Sequence, residues 1–230
     1  NRGYFKATAT ADSTKSGKRA TSEFTAMPGK QYRIKTIKFP TDSSALGKAI
    51  AATQDKTLFK KGEGYDLDIV KAERVRIDAR LKEQGYYYFG PDYMVVQVDS
   101  TVGSYETDLI LKVKPETPEQ AKKVYTIGKI TIFPNYSIKD NKRRLDKQEN
   151  DTTAVVQYKD FTIVDKEKTF NPRIFDRTLY FSKNDLYNRT DHNLSLNRLV
   201  NLGTFKFVKN QFMVSDSLDN VLDAYYYLTP

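Results

Sequence analysis

The feature that most constrains this chain is an internal repeat. Residues 32–40 and 125–134 share a Tyr-x-Ile-x-x-Ile pattern that runs on to Phe-Pro. Further along, residues 59–65 and 181–187 share Phe-x-Lys, a turn residue, an acid, one free position and Tyr. Landmarks that recur in the same order indicate that one supersecondary unit is used more than once.

Later landmarks repeat as well. An Arg-Leu pair that is followed by a glycine occurs at 80–85 and at 198–203, and aromatic residues come soon after each glycine. Strand-like runs at 108–115 and 223–230 both begin with Asp and close on Pro. A shortened third copy opens the chain with Gly-Tyr-Phe at 3–5.

The repeat predicts three domains. Residues 1–29 are expected to be the C-terminal half of one repeat unit, a hairpin, and 30–117 a complete unit. Residues 123–230 are expected to be a second complete unit with a long insertion near 136–170, in which 154–158 and 161–164 have the pattern of an extra hairpin. Because the opening residues resemble the middle of a domain, we expect a piece of a longer protein.

Each complete unit is predicted to have the order β-α-α-β-β. In the middle copy, apolar residues alternate with Lys and Arg over 32–39, as in a half-buried strand. Two stretches of helical spacing follow, and Gly85 and Gly203 suit the left-handed position that ends a helix. Strands at 86–98 and 105–114 complete the unit. The fold class is therefore α+β, with tandem units that each have a small three-stranded mixed sheet and two helices on one face.

Gly90-Pro91 interrupts the first of these two strands. Because proline cannot donate to a ladder on both sides, this strand is predicted to lie at a sheet edge. The side chains at 94, 96 and 98 should face the helices. Partner binding through this edge is predicted at outward positions, namely Tyr86, Tyr88, Tyr93, Val95 and Gln97.

Composition argues against several chemistries. The chain has no cysteine and a single histidine, His192, for which a surface turn or a helix cap is the expected place. No converging group completes a hydrolytic triad or a metal site around it. We therefore predict no catalytic residue, cofactor or metal.

The net charge of +9 raises the possibility of nucleic-acid binding. However, residues 1–40 carry nine Lys/Arg against two Asp/Glu, whereas the remaining 190 carry 29 against 27. Since most of the chain is nearly balanced and no aromatic platform interleaves the basic residues, we expect no nucleic-acid partner. A basic nucleic-acid-binding repeat protein is kept as an alternative.

The chain resembles the POTRA (polypeptide-transport-associated) domain region of BamA-type and TamA-type outer-membrane proteins. The resemblance rests on the Tyr-x-Ile opening strand, the Phe-x-Lys turn with a Tyr six residues after the Phe, and the Leu-x-x-x-Gly-aromatic helix end. It covers nearly the whole chain. The long insertion and the Tyr- and Lys-rich character resemble the TamA-like lipoproteins of Bacteroidetes.

This resemblance implies a scaffold on the periplasmic face of the outer membrane of a Gram-negative bacterium, without catalytic residues. The implied partners are nascent outer-membrane proteins and periplasmic accessory proteins, TamB-like or Bam-type, with the protein's own C-terminal β-barrel outside this chain. Substrate binding partly by strand addition to a sheet edge is also implied. A POTRA module of a secretion transporter or of a cell-division protein is the alternative within the same domain class.

Overall fold

A computed structural model of the chain describes residues 2–137 and 155–230. Contacts divide it into two compact units. The first comprises the residues through Arg80 together with Gly90–Pro118, and the second comprises Leu81–Phe89 together with Glu119–Pro230. None of the described helices combines the length and apolar character that a membrane span requires.

The first unit begins with a two-stranded hairpin, β1 and β2, as predicted for residues 1–29. The elements that follow have the predicted β-α-α-β-β order. In chain order the elements are β1 (Thr8–Ser16), β2 (Arg19–Met27), β3 (Arg33–Lys38), α1 (Ala45–Ala51), α2 (Leu67–Lys82), β4 (Met94–Asp99) and β5 (Glu106–Val113). The last two residues of α2 are grouped with the second unit. β5 is the central strand of a three-stranded mixed sheet, parallel to β3 and antiparallel to β4.

The second unit repeats this order with two additional strands. Its elements are β6 (Thr126–Phe133), β7 (Val155–Tyr158), β8 (Phe161–Val164), α3 (Arg173–Thr178), α4 (Arg189–Asn201), β9 (Phe207–Val214) and β10 (Val221–Thr229). β7 and β8 form the extra hairpin predicted within the insertion, and β8 pairs in parallel with β6. The three-stranded sheet expected here is thereby extended to five strands in the order β7-β8-β6-β10-β9. Part of the predicted insertion, residues 138–154, lies outside the described residues.

The predicted domain boundaries remain a prediction. The contacts place hairpin β1–β2 in the same compact unit as β3–β5 and assign residues 81–89 to the second unit. Both glycines expected to end a second helix follow their helices at positive φ, +86° for Gly85 and +65° for Gly203.

Local sequence explains where the helices begin. Ser44 accepts a hydrogen bond from the Gly47 amide at 2.9 Å at the start of α1. Asn188 does the same for the Asp191 amide at 2.7 Å at the start of α4. These side chains satisfy amides that have no partner within the helix, so the polar residue before each apolar stretch determines its first turn.

The repeated Phe-x-Lys…Tyr motif covers part of the outer edge of the first strand in each unit. In the first unit Ile34 accepts from the Gly62 amide at 2.7 Å and donates to the Glu63 carbonyl at 2.8 Å. In the second unit Ile127 accepts from the Asn184 amide at 2.7 Å and donates to the Asp185 carbonyl at 2.8 Å. Glycine or asparagine at positive φ allows this turn, at +83° for Gly62 and +70° for Asn184.

The parallel pairing of the first and last strands has an irregularity at the same place in the repeat of each unit. The register shifts between Ile34 and Thr36 in the first unit and between Leu222 and Ala224 in the second. In the second unit the carboxylate of Asp223 accepts a hydrogen bond from the Lys129 amide at 2.8 Å. A Cβ at Gly128 would lie 2.4 Å from Asp223 Oδ1, so the absence of a side chain makes room for this carboxylate.

A buried ion pair holds the loop after α1 to α2 in the first unit. Glu73 is 0% exposed and accepts from Arg76 Nε at 2.8 Å, from Thr57 Oγ1 at 2.7 Å and from the Leu58 amide at 3.0 Å. Burial alone raises the pKa of Glu73, but the hydrogen bonds from Arg76, Leu58 and Thr57 outweigh it and hold the pKa below its usual value. The carboxylate is therefore charged at neutral pH.

Glu73→Ala is expected to lower the free energy of unfolding of the first unit by about 3 kcal/mol, because it leaves the partly buried Arg76 guanidinium without its anion. Denaturant titration measures the loss, with Glu63→Ala, at an exposed side chain, as the matched control. The contribution of Glu73 should be intact above pH 4.5 and decline as the pH falls through the lowered pKa. Equal effects of the two substitutions would contradict the role of the ion pair.

Gly128→Ala is expected to destabilise the second unit by about 1–3 kcal/mol, because the new methyl group displaces either Asp223 or Val221. Urea unfolding measures the change. The matched control is Lys35→Ala at the equivalent position of the first unit, where a side chain is already present and the ion pair with Glu106 is exposed. If Gly128→Ala left the free energy of unfolding unchanged, Asp223 would not be needed at the bulge.

Candidate binding surface

β4 lies at an edge of the sheet of the first unit, with β5 as its neighbour. Val95 and Gln97 are exposed on the open face, and Tyr93 is half-buried in the short turn that precedes the strand. The opposite face of β4 carries Met94, which is 2% exposed. Met94, Val96 and Val98 are paired with positions 113, 111 and 109 of β5, of which Leu109 and Leu111 are buried. The edge position and the orientation of the side chains therefore agree with expectation, and partner binding stays a prediction.

The predicted start of this strand is wrong. Residues 86–90 form turns rather than a strand, because the Tyr87 amide bonds back to the Gly85 carbonyl at 2.8 Å and the Phe89 amide to the Tyr86 carbonyl at 3.2 Å. Tyr86 is 3% exposed. Tyr86 and Tyr88 therefore lie off the edge strand for which they were predicted.

Tyr88 is instead part of an aromatic cluster within the second unit. Its ring centroid lies 5.3 Å from that of Tyr125 and 4.8 Å from that of Tyr87, whose ring in turn lies 4.8 Å from Tyr187. The edge-to-face geometry of these contacts is the arrangement that aromatic rings prefer. A run of tyrosines after a helix here indicates ring packing rather than a strand.

The backbone of β4 divides its polar groups between β5 and the open edge. The carbonyl of Tyr93 accepts from the Lys114 amide of the neighbouring chain segment at 2.8 Å. Successive residues of a strand point their amide and carbonyl to opposite sides. Val95 and Gln97 therefore bond to β5, whereas Val96 and Val98 direct their amides and carbonyls outward. The amide of Met94 is already bonded to the Pro91 carbonyl.

Arg74 of α2 fixes the start of β4. Its Nε donates to the Pro91 carbonyl at 2.8 Å, and its terminal nitrogen donates to Asp92 Oδ1 at 2.8 Å. On the open face of the sheet Lys112 donates to Gln97 Oε1 at 2.8 Å. The edge is thus held in place before any partner arrives, which reduces the conformational entropy lost on binding.

The second unit has an equivalent edge that the sequence reasoning did not single out. β9 is the outermost strand beside β10, as β4 is beside β5. Phe207, Met213 and Val214 of β9 are 72%, 49% and 44% exposed. The repeat alignment provided the signal for this edge, because both strands follow the glycine that ends the second helix.

His192 is not at the surface turn or cap expected for it. It lies in the first turn of α4, half-buried, with its ring 5.0 Å from Phe212 and its Nδ1 3.2 Å from the Tyr187 hydroxyl. Burial lowers the pKa of His192, and the positive charge of Arg189 lowers it further. Among the described residues, no group of three His, Cys, Asp or Glu side chains is placed to hold a metal ion.

No protein-family model and no curated protein matches the sequence. Solved structures are nevertheless similar. POTRA domains 3–5 of BamA from Haemophilus influenzae are 15% identical, with 100% of this chain and 75% of that chain covered and a TM-score of 0.49. BamA from Haemophilus ducreyi lacking POTRA domains 1–3 is 14% identical, with 86% of this chain and 29% of that chain covered and a TM-score of 0.51.

The likeness to the Haemophilus ducreyi structure, together with the repeated β-α-α-β-β order, decides the fold. The chain has the POTRA fold. In each POTRA domain the last strand is central, the first strand is partly covered by the Phe-x-Lys turn, and the strand after the second helix forms an edge. The hairpin β7–β8 distinguishes the second POTRA domain from the first, because it extends the sheet beyond β6.

The lowered pKa of His192 predicts a pH dependence of the second POTRA domain. The unfolded state, in which the usual value of 6.5 applies, binds a proton before the folded state does. The stability contributed by the neutral ring is thus present above pH 6.5 and is lost as the pH falls below it. Denaturant unfolding above and below pH 6.5 should show that acid lowers the free energy of unfolding less for His192→Gln than for the wild type. An unchanged pH dependence would contradict this.

Proposed function

We propose that this chain is a periplasmic scaffold of an Omp85-type machine that assembles or translocates outer-membrane proteins. The observation that carries the proposal is the tandem POTRA fold with an ordered sheet edge on β4. POTRA repeats precede the barrel in the BamA- and TamA-type proteins that the sequence resembles. A binding role rather than a catalytic one is part of the proposal.

Strand addition at β4 is the proposed way in which an unfolded substrate binds. The amides and carbonyls of Val96 and Val98 point outward, and among the described residues no strand pairs with β4 on that side. An unpaired edge of this kind accepts a guest strand through backbone hydrogen bonds, with little dependence on the sequence of the guest. Such tolerance suits a scaffold that receives many different barrel precursors.

The pairing of β8 with β6 supports this mode of binding. β8 adds to the first strand of the second POTRA sheet on the side away from β10, and its Phe161 and Ile163 are 4% and 1% exposed. A sheet of this type therefore extends by one more strand without loss of its own pairing. Accessory proteins and nascent outer-membrane proteins are the proposed partners, and the periplasmic face of the outer membrane is the proposed location.

Val96→Pro tests strand addition, because it removes an outward amide and leaves the hydrogen bonds between β4 and β5 in place. It should reduce the capture of an unfolded barrel-strand peptide about tenfold, since a carbonyl of the guest loses its donor. Val96→Ala, which shortens the side chain but keeps the amide, should bind as the wild type does. Capture is measured by crosslinking from a photoreactive residue at Val95.

The position of the crosslinks can also contradict strand addition at β4. A photoreactive residue at Lys71, exposed on α2, serves as the control site. If the peptide crosslinks at Lys71 and not at Val95, or if Val96→Pro and Val96→Ala weaken capture equally, strand addition at β4 is wrong.

A further inference from the structure

Three arginine side chains gather around a groove between the two helices of the second unit. The groove has a volume of about 630 Å³. Arg173 and Arg177 come from α3, and Arg198 comes from α4. Ile174 and Leu202 add apolar surface, and Leu202 is 39% exposed. We refer to this surface as the arginine groove.

The arginines of the groove have no ion-pair partner among the described residues of the chain. Asp176, the acidic residue of α3, is already bound by Lys159, whose Nζ lies 2.6 and 2.8 Å from the two carboxylate oxygens. The positive charge of the groove is therefore not neutralised by the described part of the protein.

Helix stability does not account for this arrangement. A cation in the last turn of a helix, such as Arg198 in α4, complements the helix dipole. Arg173, by contrast, is the first residue of α3, where a cation is unfavourable. Arg173 and Arg177 also stand four residues apart, and like charges at this spacing repel each other. Arg177, in the last turn of α3, complements the dipole as Arg198 does. The unfavourable terms are therefore the position of Arg173 and its repulsion with Arg177, and a bound anion would relieve both.

Arg198 is already ordered for binding. Its guanidinium lies 4.3 Å from the ring centroid of Tyr180 and donates to the Arg177 carbonyl at 2.9 Å. A stacked guanidinium loses little conformational freedom when it pairs with a carboxylate, and its fork-shaped set of donors matches both carboxylate oxygens. The groove therefore offers fixed positive charge beside apolar surface.

We propose that the arginine groove binds an acidic amphipathic segment of a partner protein. Carboxylates of the segment pair with Arg173, Arg177 and Arg198, and its apolar side chains cover Ile174 and Leu202. The apolar surface between the cations favours a peptide over a free phosphate group, which would leave it exposed. This surface is separate from the β4 edge and does not depend on strand addition.

The probe is a fluorescein-labelled peptide with glutamate and leucine at helical spacing, and binding is followed by fluorescence anisotropy. The full chain should bind it, and affinity should fall as salt is raised, because exposed charges are screened. Arg173→Glu combined with Arg177→Glu should weaken binding by about tenfold or more. Lys183→Glu combined with Lys206→Glu makes the same change in net charge at exposed sites of the same unit and should leave affinity within about twofold.

Other outcomes overturn the proposal. Equal losses of affinity in the two double variants would show that the peptide is attracted by net charge alone. Unchanged binding of a peptide with glutamine in place of glutamate would show that the arginines do not recognise carboxylates. Failure of the peptide to bind, with arginine-dependent sedimentation on phosphatidylglycerol vesicles, would assign the groove to a membrane surface. Circular dichroism of each variant confirms that the fold is intact before the affinities are compared.

Discussion

The parallel pairing of the first and last strands is the constraint on which each unit depends. β5 lies between β3 and β4, and β10 lies between β6 and β9, so the last strand holds each sheet together. Parallel neighbours cannot be joined by a tight turn, and in each unit the long connection between the first and last strands contains both helices. The apolar residues of these central strands are accordingly among the most buried, with Leu109, Leu222 and Ala224 each 0% exposed.

Sequence patterns predicted those parts of the fold that local chemistry determines. The repeat gave the order of the elements, and Gly85 and Gly203 marked the helix ends, because positive φ is a property of one residue. An extra hairpin at 154–158 and 161–164 was among the expectations for the insertion. Its pairing with β6 was not, because the partner of a strand depends on segments that are distant in the chain.

The errors in the binding surface have the same origin. Tyrosines have a high strand propensity, but Tyr87 and Tyr88 pack against rings that the chain supplies some forty and one hundred residues later, at Tyr125 and Tyr187. His192 has polar neighbours in sequence, and only the fold brings Phe212 against it. The edge position of β4 was predicted from Gly90-Pro91, but these residues lie before the strand and not within it, so the missing amide of proline is not its cause.

Both units cover part of the outer side of the first strand and leave the strand after the second helix uncovered. On the first strand of each unit, the Phe-x-Lys turn occupies the backbone groups of Ile34 or Ile127, and β8 covers a further part of β6. The edges at β4 and β9 carry no such cover among the described strands. Exposed edges are usually a liability for aggregation. The uncovered edges at β4 and β9 therefore fit surfaces that are kept for a partner.

The central strands β5 and β10 come last in the sequence of their units, and this order has a consequence for folding. Thr126 of β6 pairs with Val221 of β10, so the middle of the second sheet closes only when the two ends of the unit meet. Hairpins such as β7–β8 join neighbouring residues and can form early, whereas closure over a long intervening chain costs more entropy and is slow. Until β10 arrives, β6 has one side open to any passing strand. A chaperone that shields β6 while the unit folds would protect it from pairing with other unfolded strands.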